Sequence, residues 1–271
     1  MGINFDSSPN SIVSHNRLIG GTYSTNGIYN GASNQNAIVS NNYIQISAAN
    51  YYAYDRSITG ITAHDSVIEG DTLFVNNSGH DQSTTGIVGD RSMIRNNVVD
   101  LSDSNLGANR VGRAIESSGD ENTRIEISGN KITARHYTYA IQSNYADITD
   151  NIITGITHGY GGYGDISCGT SGIDVSDGYI LISNNTINDM CRAIQNNNTE
   201  VDIINNIIID SDESTSSYYD WNTDEEYYLP SHTSDAIKIL GEEGESNIKY
   251  NIIKTIFTKG IVSENQTNVE I

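Results

Sequence analysis

Aliphatic residues recur along this chain in a fixed frame around one polar position. The polar anchors are Asn16, Asn42, Asp71, Asn97, Asn130, Asn151, Asn185, Asn206 and Asn251. Three residues before them stand Val13, Val39, Ile68, Ile94, Ile127, Ile148, Ile182, Ile203 and Ile248. Two residues after them stand Leu18, Ile44, Leu73, Val99, Ile132, Ile153, Ile187, Ile208 and Ile253. A second motif, a small residue followed by Ile, runs in phase: Gly27-Ile28, Gly60-Ile61, Gly86-Ile87, Ala114-Ile115, Ala140-Ile141, Gly172-Ile173, Ala193-Ile194, Ala236-Ile237 and Gly260-Ile261. The step from this pair to the next anchor is short and nearly constant. The step from an anchor to the next pair runs from eight residues (185 to 193) to thirty (206 to 236).

Each unit therefore predicts three short strands. One starts at the small-Ile pair, one leads into the anchor and one follows it. Runs of Ile and Val broken by Gly, Asn, Asp and Ser read as strands and turns. No segment has sustained helical periodicity. The residue before the anchor is Asn41, Gly70, Asn96, Gly129, Asp150, Asn184 or Asn205 in seven copies. These types tolerate a left-handed backbone, as a sharp corner between strands requires. The anchor side chain can then point inward and bond to backbone and to the anchors above and below, so that no polar group is left unpaired. One unit cannot bury its apolar face alone, whereas stacked units make a continuous core.

These rungs resemble the repeats of right-handed parallel β-helices, the fold of pectate lyases, other polysaccharide lyases, polygalacturonases and phage tailspikes. The resemblance spans almost the whole chain. It implies an all-β, single-stranded right-handed parallel β-helix of about nine rungs, with three short strands per rung and long third-turn loops. It also implies a substrate cleft along the first sheet, beside those loops. Fold alone does not fix the chemistry.

Residues 1–271 read as a single domain, a rod about 40 Å long at a strand spacing near 4.8 Å. The chain enters a rung at Met1-Gly2-Ile3 and closes on what reads as the opening of a tenth, so it is expected to be a fragment of a longer protein. Fourteen basic against 34 acidic residues give a net charge of −20. That balance argues against nucleic acid and anionic membranes as partners. No apolar run is long enough to span a bilayer. Cys168 and Cys191 fall near the same edge of adjacent rungs. They could form a disulfide, which would suit an extracellular setting, or remain free thiols.

Aromatic residues concentrate in the loops. The chain has 17 Tyr, one Trp and three Phe. Tyr51, Tyr52, Tyr137, Tyr160, Tyr163, Tyr218, Tyr219, Trp221, Tyr227 and Tyr228 all fall on one predicted edge. Flat rings with polar tips suit the C–H faces and hydroxyls of sugars; packing of the loops on themselves is the structural alternative.

On the small-Ile strand Ile points inward, so the next residue points out. That gives a polar column of Glu116, Gln142, Asp174, Gln195 and Lys238. Glu116 and Asp174 are two rungs apart, within reach of the carboxyl spacing of inverting glycosidases. They are the candidate catalytic pair. Gln142, Gln195, Lys238, Arg113, Tyr139, Tyr160, Tyr163 and Trp221 are candidate substrate contacts. Arg113, Tyr139 and Arg192 also form a lyase-like alternative, with Arg steadying a sugar carboxylate and Tyr moving a proton. Asp65, Asp90, Asp120 and Asp177, with His64 nearby, read as turn-capping acids. Acid clusters at Asp212-Glu213, Asp224 to Glu226 and Glu242 to Glu245 lack the spacing of a calcium loop. No cofactor is expected, with calcium the one candidate, and no metal site.

The expectation is thus a polysaccharide-degrading domain, extracellular or on a virion surface as in a tailspike, acting by a carboxylate pair. The partner would be a polysaccharide or cell-surface glycan, and the assembly a homotrimer or an end-to-end stack. The competing readings are a non-catalytic glycan-binding, receptor-binding or adhesive module, a polysaccharide lyase and a structural rod.

Overall fold

The computed structural model describes residues 2–5, 8–21, 26–30, 36–48, 57–77, 83–102, 112–135, 138–156, 171–190, 192–197, 199–209, 215–220, 225–230, 235–240, 245–254, 259–264 and 268–270. Of these, 48, 77, 135, 215–220, 225–230, 259 and 268–270 are described by backbone alone.

The described strands form three parallel sheets of ten, ten and nine strands. Within each sheet neighbouring strands are one rung apart in sequence, so the chain winds as a right-handed parallel β-helix. The three aliphatic columns line its interior. Ile115 lies beside Ile87 and Ile141 in the first sheet, Ile127 beside Ile94 and Ile148 in the second, and Ile132 beside Val99 and Ile153 in the third. Almost all of these residues are buried; Leu18, Ile253 and Ile261, in the outermost turns, are partly buried. The loop after Asn206 contains an antiparallel pair, Thr215–Asp220 with Glu225–Pro230, in which Tyr218 is opposite Tyr227.

The anchors close the corner between the second and third sheets. Each anchor amide from one rung donates to the next: Asn97 Nδ2 to Asn130 Oδ1 (3.1 Å), Asn130 Nδ2 to Asn151 Oδ1 (3.0 Å) and Asn151 Nδ2 to Asn185 Oδ1 (3.0 Å). The same Nδ2 also donates to the carbonyl of the aliphatic residue one rung back, as from Asn130 to Ile94 and from Asn151 to Ile127. A polar column inside an apolar core is thereby paired throughout its length, save at Asp71, whose Oδ2 is buried without a partner.

All nine residues before the anchors have positive φ, including His15 (57°) and Tyr250 (59°); His is enriched there with Asn and Asp, whereas Tyr is not. A left-handed backbone costs a residue such as Tyr roughly 1–2 kcal/mol. Tyr250 is 80% exposed, so its ring gains little from packing in return. Tyr250→Asn is therefore expected to stabilise the fold by about 1 kcal/mol, read as a rise in the urea midpoint. A lowered midpoint would show that the ring contributes more than the corner costs.

The first sheet departs from simple alternation. Its strands run out, in, in, out: in Gly112–Ser117, Ala114 and Ile115 are both buried while Arg113 and Glu116 face outward. The small residue is small because it meets the third-sheet aliphatic residue across the core. A Cβ on Gly86 would lie 2.5 Å from Val99 Cγ1, and one on Gly60 would lie 2.5 Å from Leu73 Cδ2. This double inward step puts two outward columns on the same face of the first sheet, three residues apart along each strand.

Candidate functional site

The two outward columns bring together most of the described site residues expected from the sequence. One column reads Glu116, Gln142, Asp174, Gln195, Lys238 in successive rungs. The other reads Arg113, Tyr139, Ser171, Arg192. Strict alternation would have put Arg113 and Glu116 on opposite faces. Instead Arg113 Nε lies 3.7 Å from Glu116 Oε1. It also donates to Gln142 Oε1, leaning one rung toward Asp174.

Asp174 is the unusual member. It stands in an outward column yet is 5% exposed. Burial pushes its carboxyl up to about 6, against the opposing pull of Arg192, a hydrogen bond from Asn197 and the charge of Arg113. The bond runs from Asn197 Nδ2 to Asp174 Oδ1 at 2.9 Å. Asn197 Oδ1 in turn accepts from Gln195 Nε2 at 2.7 Å, and Gln195 Oε1 accepts from Arg192 Nη1. Arg192 Nε is buried without a partner.

Glu116 is separated from Asp174 by the single strand carrying Gln142. Two strand spacings put their backbones about 9–10 Å apart. Its side chain is 41% exposed, so water reaches it. The pair thus combines a buried carboxyl that holds its proton into the mildly acidic range with a carboxylate open to solvent. Tyr139 sits on the rung between Arg113 and Ser171 and is half-buried. Lys238 is at the far end of the column, its Nζ 3.4 Å from Glu264 Oε1. Tyr160, Tyr163, Trp221, Cys168 and Cys191 lie outside the described residues.

Asn197 was not foreseen as part of the site. It sits in the run Asn196-Asn197-Asn198 of an Asn-rich chain, and nothing in that run sets it apart. Its role follows from register: it lies two residues beyond Gln195, which pairs with Asp174.

The other acids work in the turns. Arg91 binds Asp65 through two bonds of 2.6 and 2.8 Å. His64 Nδ1 lies 3.0 Å from Asp90, and that hydrogen bond holds the Asp90 carboxyl below its ordinary value. Asp120 Oδ1 accepts from the backbone N–H of Asn122 and Thr123, both at 2.9 Å. Among the described residues no three His, Cys, Asp or Glu side chains converge as a metal site. Of the acid clusters weighed for calcium, only the side chain of Glu245 is among those described.

No protein-family model matches this chain, and neither does any curated protein sequence. Some solved structures do match. DFA-IIIase from Arthrobacter chlorophenolicus A6 without its lid is 12% identical, with a TM-score of 0.46, over 90% of this chain and 55% of its own. The same enzyme in complex with GF2 is 13% identical, with a TM-score of 0.40, over 91% of this chain and 50% of its own. The catalytic domain of a GH87 alpha-1,3-glucanase in complex with tetrasaccharides is 13% identical, with a TM-score of 0.22, over 100% of this chain and 64% of its own. The chain thus spans roughly half to two thirds of the length of these structures.

Proposed function

We propose that this β-helix cleaves a glycosidic bond of a polysaccharide on the outer face of its first sheet. Asp174 is the general acid and Glu116 the general base. The observation that carries this reading is a buried Asp174 carboxyl, raised to about 6, two rungs from a solvent-open Glu116. Asp174 gives its proton to the glycosidic oxygen as the C–O bond breaks toward that oxygen. Glu116 takes a proton from the water that attacks the anomeric carbon. A spacing that admits a water molecule belongs to inversion. The resemblance of the repeats to depolymerases and tailspikes supports a protein that acts outside the cell or from a virion surface, on a polysaccharide or cell-surface glycan.

A panel of polysaccharides, read for new reducing ends and for absorbance of unsaturated sugars, tests this. Reducing ends without absorbance are expected. Absorbance as well would move the chemistry to a lyase using Arg113, Tyr139 and Arg192. Binding without either signal would leave an adhesive module.

The pH dependence follows from the acid. Asp174 must be protonated and Glu116 ionised, so kcat should follow a bell-shaped profile whose alkaline limb is set by Asp174. On that limb it should fall through a midpoint near the carboxyl's value of about 6, then drop about tenfold per further pH unit. A rate that rises through this range would exclude Asp174 as the acid.

A further inference from the structure

We infer that Asn197, Gln195 and Arg192 form a positioning relay that fixes which oxygen of Asp174 carries the proton. This rests on the reading of Asp174 as the acid. The three links run in one direction. Arg192 Nη1 donates to Gln195 Oε1, Gln195 Nε2 to Asn197 Oδ1 (2.7 Å), and Asn197 Nδ2 to Asp174 Oδ1 (2.9 Å). A guanidinium has no acceptor and cannot reverse its end. Its donation sets the Gln195 amide, and that amide sets Asn197. Oδ1 therefore always receives an N–H, and the acidic proton resides on Oδ2.

The consequence is chemical. When Oδ2 releases its proton to the leaving oxygen, the bond at Oδ1 becomes charge-assisted and strengthens. The relay thus stabilises the charge that develops on Asp174, with Arg192 at its far end polarising each amide in turn. It also offsets part of the burial of Asp174. On the opposite side Arg113 holds the Oε1 of Gln142, the other register neighbour of Asp174. The acid is thus flanked by two arginine-oriented amides, and among the described side chains it is the Arg192 arm that is hydrogen-bonded through to it.

Two variants test the relay in the full chain. Asn197→Ala removes the last link. Gln195→Leu cuts the middle link and leaves the Asp174 bond in place. The readout is the carboxyl-carbon NMR titration of Asp174, assigned by its disappearance in Asp174→Asn, together with the pH profile of kcat. Asn197→Ala should raise the Asp174 midpoint by about one pH unit, because the ionised form loses its donor. The alkaline limb of kcat should move with it, and kcat at the optimum should fall about tenfold with KM within about twofold. Gln195→Leu should shift the midpoint in the same direction by less. An unmoved Asp174 titration in both variants, with unfolding midpoints like the parent's, would overturn the relay. The titration needs no substrate. A parent protein that cleaves no glycan would sink the hydrolase reading, while the NMR result would still decide the relay.

Discussion

Asp71→Asn is expected to stabilise the protein by about 3 kcal/mol at pH 8 and to change it by less than about 1 kcal/mol at pH 4. Asp71 is fully buried in the anchor column, where the equivalent positions hold Asn. Its Oδ1 fills the expected role, accepting from Asn42 N at 2.7 Å and Asn42 Nδ2 at 2.9 Å. Its Oδ2 occupies the place from which other anchors donate to the next Oδ1 and to a carbonyl one rung back. Here those acceptors are Asn97 Oδ1, which already takes the Asp71 N–H, and, by the repeat, the Val39 carbonyl. A carboxylate has no proton to offer either of them.

Burial accordingly pushes the Asp71 carboxyl from 3.8 up to about 6. The hydrogen bonds from Asn42 pull it back, and the charge of Glu69, itself 2.8 Å from Arg95, adds to the rise. The folded state holds this proton more tightly than the unfolded chain. Asp71's contribution to stability is therefore fully present below 3.8 and is lost as pH rises through about 6. A shift of roughly two units corresponds to about 3 kcal/mol. Asp174 has the same sign, so the difference between parent and Asp71→Asn is the quantity that isolates Asp71. Urea unfolding at the two pH values measures it. A gain of equal size at both would show that the lost amide bonds matter and the charge does not.

The architecture was legible because it repeats. Nine copies of one frame average out local accidents, and the columns at Ile68, Ile94 and Ile127 fall into register as their spacing implied. The corner chemistry was legible for seven of its nine left-handed residues; His15 and Tyr250 adopt the same φ, Tyr250 against the preference of its type, because the stacked rungs on one side dictate the turn. The outward Glu116–Asp174 column was also readable, since Ile115 and Ile173 fix which neighbour points out. What could not be read was the inward turn of the small residue, which depends on contact with Val99 or Leu73 across the core. Nor could the burial of Asp174, which no property of its own strand announces. Asn197 belongs to the same class: its bond to Asp174 joins residues 23 positions apart.

Asp174→Asn is expected to lower kcat on the natural glycan by about 10²- to 10⁴-fold while leaving binding within a few-fold of the parent. The amide keeps the shape and still accepts from Asn197, so the site should not collapse. The missing function is proton donation to the leaving oxygen. That loss should therefore depend on how much the leaving group needs a proton. On an aryl glycoside whose phenol leaves readily as the anion, Asp174→Asn should recover most of the parent rate and lose the alkaline limb near pH 6. Glu116→Gln should behave differently. Water must be activated whatever leaves, so its rate should fall on both substrates, and added azide should restore it by attacking without a base. If the two responses are exchanged, the roles of the carboxyls are exchanged. If neither variant loses activity while binding persists, the pair is not the catalytic site, and the arginine–tyrosine column beside it is the next place to look. The double variant should be little worse than the more damaged single one, because acid and base serve the same bond-breaking step.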